Sequence, residues 1–135
     1  MVMPSAEAVV LRLGDRARRE RFMDRFVRSG WCEGIDGVVP SGGGFVAVVN
    51  RPGASLRVSV CEFVEQGPAV LGVFEVQNGG RLVGQGRFLV AFMVGGVVTL
   101  GVGVWFGSRE LAAIEARFSG VPLLFDVVSG VQVFA

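Results

Sequence analysis

From Phe88 to Gly107 the chain runs for twenty residues without a charge, with Arg87 before the run and Arg109 just beyond it. A stretch of this length either crosses a bilayer as one helix or folds back on itself within a covered sheet. On a helix, Gly95, Thr99, Gly103 and Gly107 recur every four residues, a small-residue stripe of the kind that lets membrane helices approach closely. In extended chain the same residues read differently. Gly95 and Gly96 form a two-residue hairpin turn, after which Val98, Leu100, Val102, Val104 and Phe106 alternate with Thr99, Gly101 and Gly103. The many Gly, Val and Thr also make this a poor helix in water. The hairpin is therefore the expected structure. The alternative is a single-pass membrane accessory subunit of a larger complex, with its span at 88–107.

A hairpin here has a consequence for its two faces. Phe88, Val90, Phe92 and Val94 fall on one, and Leu89, Ala91 and Met93 on the other, so both must be covered. Helices can cover one face, while the second needs another layer of strands or another copy of the chain. The chain is 51% hydrophobic and only 19% charged, so few charged residues are available for a solvent face. A homo-oligomer is expected, with Phe88, Val90, Phe92, Leu100, Val102 and Phe106 as its self-association residues.

The remaining punctuation describes an α+β chain. Met1 to Leu13 reads as a short strand and lacks the unbroken apolar run of a secretory signal, because Arg12 interrupts it. Asp15 can cap a helix from Arg16 to about Arg28, closed by Ser29 and Gly30. Period-two alternation then takes over in Phe45 to Val49 and in Leu56 to Val64, joined by a type II turn at Asn50 to Gly53. Gln66, Gly67 and Pro68 read as a turn into a strand from Ala69 to Gln77, which Asn78, Gly79 and Gly80 turn again. A second helix starts at the cap Ser108, carries Leu111, Ile114 and Phe118 at i, i+3 and i+7, and stops at Gly120 and Pro122. Leu123 to Val128 and Val131 to Phe134 close the chain as a hairpin. The expectation is one α+β domain over residues 1–135, mainly an antiparallel sheet of about seven or eight strands in hairpins, with two amphipathic helices near residues 15–29 and 108–119.

The missing residue types exclude more chemistry than the present ones suggest. All thirteen cations are Arg, and the chain has no His, Lys or Tyr. The commonest general base and zinc ligand, the Schiff-base amine and the phenolic acid are therefore absent. Cys32 and Cys61 are isolated, without a metal-binding spacing. Cys61 is expected to be a buried thiol within a strand and Cys32 the more exposed, in a loop. Glu62 with Glu65, Asp36 with Glu33, and Asp126 do not specify a shared carboxylate site. Ser41 to Gly44 and Gly101-x-Gly103 complete no phosphate-binding motif, since a P-loop needs a Lys. No catalytic residue, cofactor or metal is assigned.

The densest charge lies on the first helix. At 100° per residue, Arg18, Arg21, Arg25 and Arg28 line one side, opposite Phe22, Met23, Phe26 and Val27. Such a stripe suits an acidic partner surface. It can equally be a solvated face whose arginines pair locally, Arg19 with Asp15, Arg28 with Asp24 and Arg16 with Glu20. A net charge of +1 supplies no broad basic field, which argues against a nucleic-acid partner. The expected role is that of a soluble, intracellular, non-catalytic assembly or protein-interaction subunit, whose partner is another protein or a second copy.

Overall fold

The computed structural model describes residues 16–34, 39–49, 55–82 and 87–135; the side chains of 16–19 and 27–29 fall outside that description. The strand expected at Met1 to Leu13, the cap at Asp15 and the type II turn at Asn50 to Gly53 lie outside the described residues. Among those described, the elements are α1 (Arg16–Ser29), β1 (Trp31–Glu33), β2 (Phe45–Val48), β3 (Ser55–Ser59), α2 (Val60–Leu82), β4 (Arg87–Val94), β5 (Val97–Phe106), α3 (Arg109–Ser119), β6 (Leu123–Asp126) and β7 (Val131–Phe134). The architecture is α+β with one antiparallel sheet.

The uncharged run forms the centre of that sheet. β4 and β5 pair as a hairpin, Val94 opposite Val97 across the Gly95-Gly96 turn, and the pairing continues to Arg87 opposite Val104. The span at 88–107 is thereby corrected: this segment is not a helix, and no helix among the described residues is long and apolar enough to cross a membrane. On the far edge of β5, β3 pairs with its first half and β2 with its second. Outward from this centre the order is β1-β4-β5-β2-β6-β7, with β3 beside β5.

The sheet curls on itself, and the curl supplies the second layer. Although β4, β5 and β2 separate β1 from β6, Trp31 on β1 meets Phe125 on β6 edge to face, with ring centroids 6.2 Å apart. Cys32, Val46, Val48, Val90, Phe92 and Leu123 join them in one inward-facing core cluster. Glycine makes the curvature possible on β5. A Cβ at Gly103 would stand 2.5 Å from methyls of both Val46 and Val90, and one at Gly101 would stand 2.7 Å from Val48, so only a hydrogen lets these valines close over the strand. A side chain joins the two ends of the curl: the Gln132 amide on β7 donates to the Met93 carbonyl (2.8 Å) and accepts from the Met93 N–H (2.9 Å). It satisfies backbone groups of β4 beyond the reach of β1, as a neighbouring strand would.

Helices cover the outer face in two separate layers. Over β4 and β5, α1 and α2 bury Phe22, Phe26, Phe63, Leu71, Phe74 and Leu82 against Leu89, Ala91, Val98, Leu100 and Val102. The rings of Phe26 and Phe63 meet at 5.0 Å, and a Cβ at Gly67 would run into Met23, so the two helices touch closely. Over β2 and β6, α3 buries Ala112 and Ala116 against Ala47 and Leu124.

Three readings of the chain are corrected by α2. The strand expected at Leu56 to Val64 ends at Ser59, the strand at Ala69 to Gln77 is helix, and Asn78 to Gly80 is not a turn; the helices number three among the described residues rather than two. The Gln66-Gly67-Pro68 break is real but only kinks the element, with Gln66 at φ −126°, ψ 21°. Pro68 follows this kink, where the next helical segment begins and a missing N–H costs little. The buried residues Leu71, Phe74, Glu75, Asn78 and Leu82 fall at helical spacing. Ser59 accepts a hydrogen bond from the Glu62 N–H at 3.1 Å, capping the start.

Candidate interaction surface

The residues expected to join two copies are used within one. Val90, Phe92, Leu100 and Val102 are fully buried, and Phe88 and Phe106 are half-buried against the core clusters. Their burial within one chain leaves these residues unavailable as a self-association surface, because the curl and the helices cover the middle of both hairpin faces, while Met93, Val94 and Val97 at its tip stay exposed. Any surface for a second copy must come from elsewhere.

α3 provides one. Its start is held by Ser108, whose Oγ accepts from the Leu111 N–H (3.4 Å) and donates to the Glu110 carboxylate (2.8 Å). That hydrogen bond holds the Glu110 carboxyl below its usual range. Its end is closed by Gly120 in the left-handed region at φ 78°, a conformation that suits glycine. Arg109 sits 5.7 Å over the Phe45 ring and donates to the Phe134 carbonyl (3.2 Å), tying the helix to β2 and β7. The register that these contacts impose turns Ala112, Ala113 and Ala116 toward the sheet. Leu111, Ile114 and Phe118 then project on the opposite side, and they are 58%, 56% and 76% exposed. The apolar spacing read from the sequence is present, but it faces outward.

The arginine stripe is brought together only in part. Arg21 and Arg25 are exposed on α1 while Phe22 and Phe26 are buried, and the side chains of Arg18 and Arg28, and the three local ion pairs, lie outside the described residues. Arg25 stacks 4.8 Å above Trp31, whose indole N–H donates to Glu33 at 2.8 Å. Arg25 therefore already has an aromatic partner on its own chain, which lowers what it can offer to an anion.

The two cysteines exchange their expected settings. Cys32 is buried in β1, where burial, and then the neighbouring Glu33, push its thiol well above the ordinary value; Cys61 is exposed in the first turn of α2. A thiol so raised is poorly suited to nucleophilic work near neutral pH. Glu62 and Glu65 are exposed on α2, Glu33 is buried in β1, and Asp126 accepts the Val128 N–H at 3.0 Å to shape the β6–β7 turn; Asp36 lies outside the described residues. In the Ser41 to Gly44 segment the Gly43 carbonyl accepts the Trp105 indole N–H at 2.9 Å. An open cavity of about 230 Å³ lies between Val97, Thr99, Pro122 and Phe134, with Arg57 as the single charged lining residue among the described residues. Arg57 reaches the Gly120 carbonyl at 3.5 Å. Among the described residues, no group of three or more Cys, Asp and Glu could hold a metal ion.

The signal that separates these regions was available in the alanines. Ala112, Ala113 and Ala116 recur at i, i+1 and i+4, a narrow face that lets a helix sit close to a sheet while its larger residues stay free. Compared with models of protein families, with curated protein sequences and with solved structures, this chain matches none, so its role rests on its own geometry.

Proposed function

We propose that this protein acts without catalysis, as an assembly or protein-interaction subunit that associates with a second copy of itself. The observation that supports this reading is the outward stripe of Leu111, Ile114 and Phe118 on α3. Single exposed apolar residues are ordinary, but three large ones aligned along two turns of a capped helix form a contiguous face of the kind used in protein contacts. Removing them from water drives association, and the burial of each such side chain contributes roughly 1.5–3 kcal/mol before the cost of bringing two chains together.

Light scattering on the purified chain across a concentration series tests the reading. A mass that rises from monomer toward dimer, and that stays monomeric in Leu111→Asp combined with Phe118→Asp, is the expected result. Both substitutions fall on exposed positions, so the circular dichroism of the variant should match the parent. A dimer that persists in this variant removes α3 from the interface.

A further inference from the structure

The flanks of the same stripe carry charges whose arrangement decides how two copies can meet. Leu111, Ile114 and Phe118 are spaced as a, d and a of a heptad, the pattern by which paired helices interlock. With that assignment Glu110 and Arg117 occupy successive g positions and Glu115 occupies e. Glu110 and Arg117 therefore lie on one flank of the stripe, at opposite ends, and Glu115 lies on the other flank near its middle. Glu110 and Arg117 are exposed and Glu115 is half-buried.

Two parallel helices set each g residue against the e residue of the partner five positions on. Glu110 would then face Glu115 twice, with the helix dipoles also aligned unfavourably. An antiparallel pair related by a two-fold axis instead sets g against g and e against e. Glu110 of each copy then faces Arg117 of the other, twice, and the dipoles oppose. One like-charge contact remains, Glu115 against its own copy at the centre. Two attractive contacts and one repulsive contact favour this arrangement over two repulsive ones.

On the reading that α3 is the self-association surface, we infer that the partner is a second copy of this chain, packed with its α3 antiparallel about a two-fold axis near Ile114 and Glu115. Glu110 and Arg117 choose the orientation, and Glu115 holds the affinity down. The contact spans only two helical turns, less than the ~800 Å² per partner of a standard interface, so the dimer is weak, with dissociation constants of roughly micromolar to millimolar.

Sedimentation equilibrium at concentrations up to about 1 mM tests this with variants confined to the helix flanks. Arg117→Glu turns both attractive contacts repulsive and weakens the dimer about tenfold. Glu110→Arg combined with Arg117→Glu exchanges the charges and returns the affinity to within about threefold of the parent. Glu115→Gln removes the central repulsion and tightens the dimer about twofold to fivefold. All three responses should shrink in about 1 M salt.

A dimer that Leu111→Asp with Phe118→Asp abolishes, but that neither Arg117→Glu nor Glu115→Gln alters, overturns the antiparallel pairing and leaves self-association through α3 standing. A parent chain that remains monomeric at about 1 mM overturns both, and makes a different protein the occupant of the stripe.

Discussion

The two helical layers on the outside of the sheet bury themselves by opposite means. α1 and α2 meet β4 and β5 through Phe22, Phe26, Phe63, Leu71 and Phe74, whereas α3 meets β2 and β6 through Ala112 and Ala116. The first layer fills a thick gap with aromatic rings. The second brings backbone close to backbone, and so leaves its own large side chains without a place in the core. The difference shows that amphipathic spacing identifies an apolar stripe but not the surface it meets. On α1 the stripe is buried in the core, and on α3 it is exposed.

The contrast is broken most severely by truncation in the aromatic layer. Phe74→Ala removes a fully buried ring and is expected to cost about 3–5 kcal/mol, read by urea unfolding of dilute protein, whereas Phe118→Ala should stay within about 0.5 kcal/mol of the parent. Equal losses from the two would mean that Phe118 packs within its own chain. Enlarging the alanine layer gives the middle-sized effect. Ala116→Leu places three more carbons in a fully buried contact and should destabilise by about 1–3 kcal/mol, while Leu at exposed Arg117 should be tolerated. If Ala116→Leu proved neutral, the close approach of α3 to the sheet would be refuted.

The smallest effect sharpens the cap of α3. Glu110 titrates below its usual range because Ser108 donates to its ionised form, so its folded-state value lies under its unfolded one. The stability contributed is present above the unfolded value and is lost as pH falls through the folded one, in the acid range. The unfolding midpoint of Glu110→Gln should therefore fall less steeply than the parent's across that acid window. Parallel acid profiles for the two proteins would remove the cap's role in pH dependence.

Much of the fold was legible because turn chemistry and period agree in it. Gly95-Gly96 between two apolar runs favoured the β4–β5 hairpin, and Ser108 with Gly120 bounded α3 to within a residue. α2 was misread for a physical reason. Its Val-rich stretch from Ala69 to Gln77 favours strand locally, and Gly67 and Pro68 resemble a turn, yet burial of Leu71, Phe74, Asn78 and Leu82 on one side of a helix outweighs that preference. The Ser59-Val60-Cys61-Glu62 sequence has the form of a helix-start box and was the signal against the strand reading. The misplacement of Cys61 follows from the same error, since it lies in that helix, whereas Cys32 was misplaced because the short strand β1 was read as a loop. The interaction residues were misplaced because the hairpin's second face was left to a partner, when the chain's own curl covers it.

The amino-acid sequence by itself determined that no side-chain imidazole, amine or phenol chemistry is present and that α1 and α3 are amphipathic, because residue type and spacing are local properties; between a hairpin and a membrane span for the uncharged run it only favoured the hairpin. Only the tertiary structure decided which way each stripe faces. That choice depends on how close a helix can come to the sheet, and so on the alanines beneath α3, on the glycines that let Val46, Val48 and Val90 close over β5, and on Gln132 reaching Met93 across the ends of the curl. These contacts join residues far apart in the chain, and their geometry exists only once the sheet has curled.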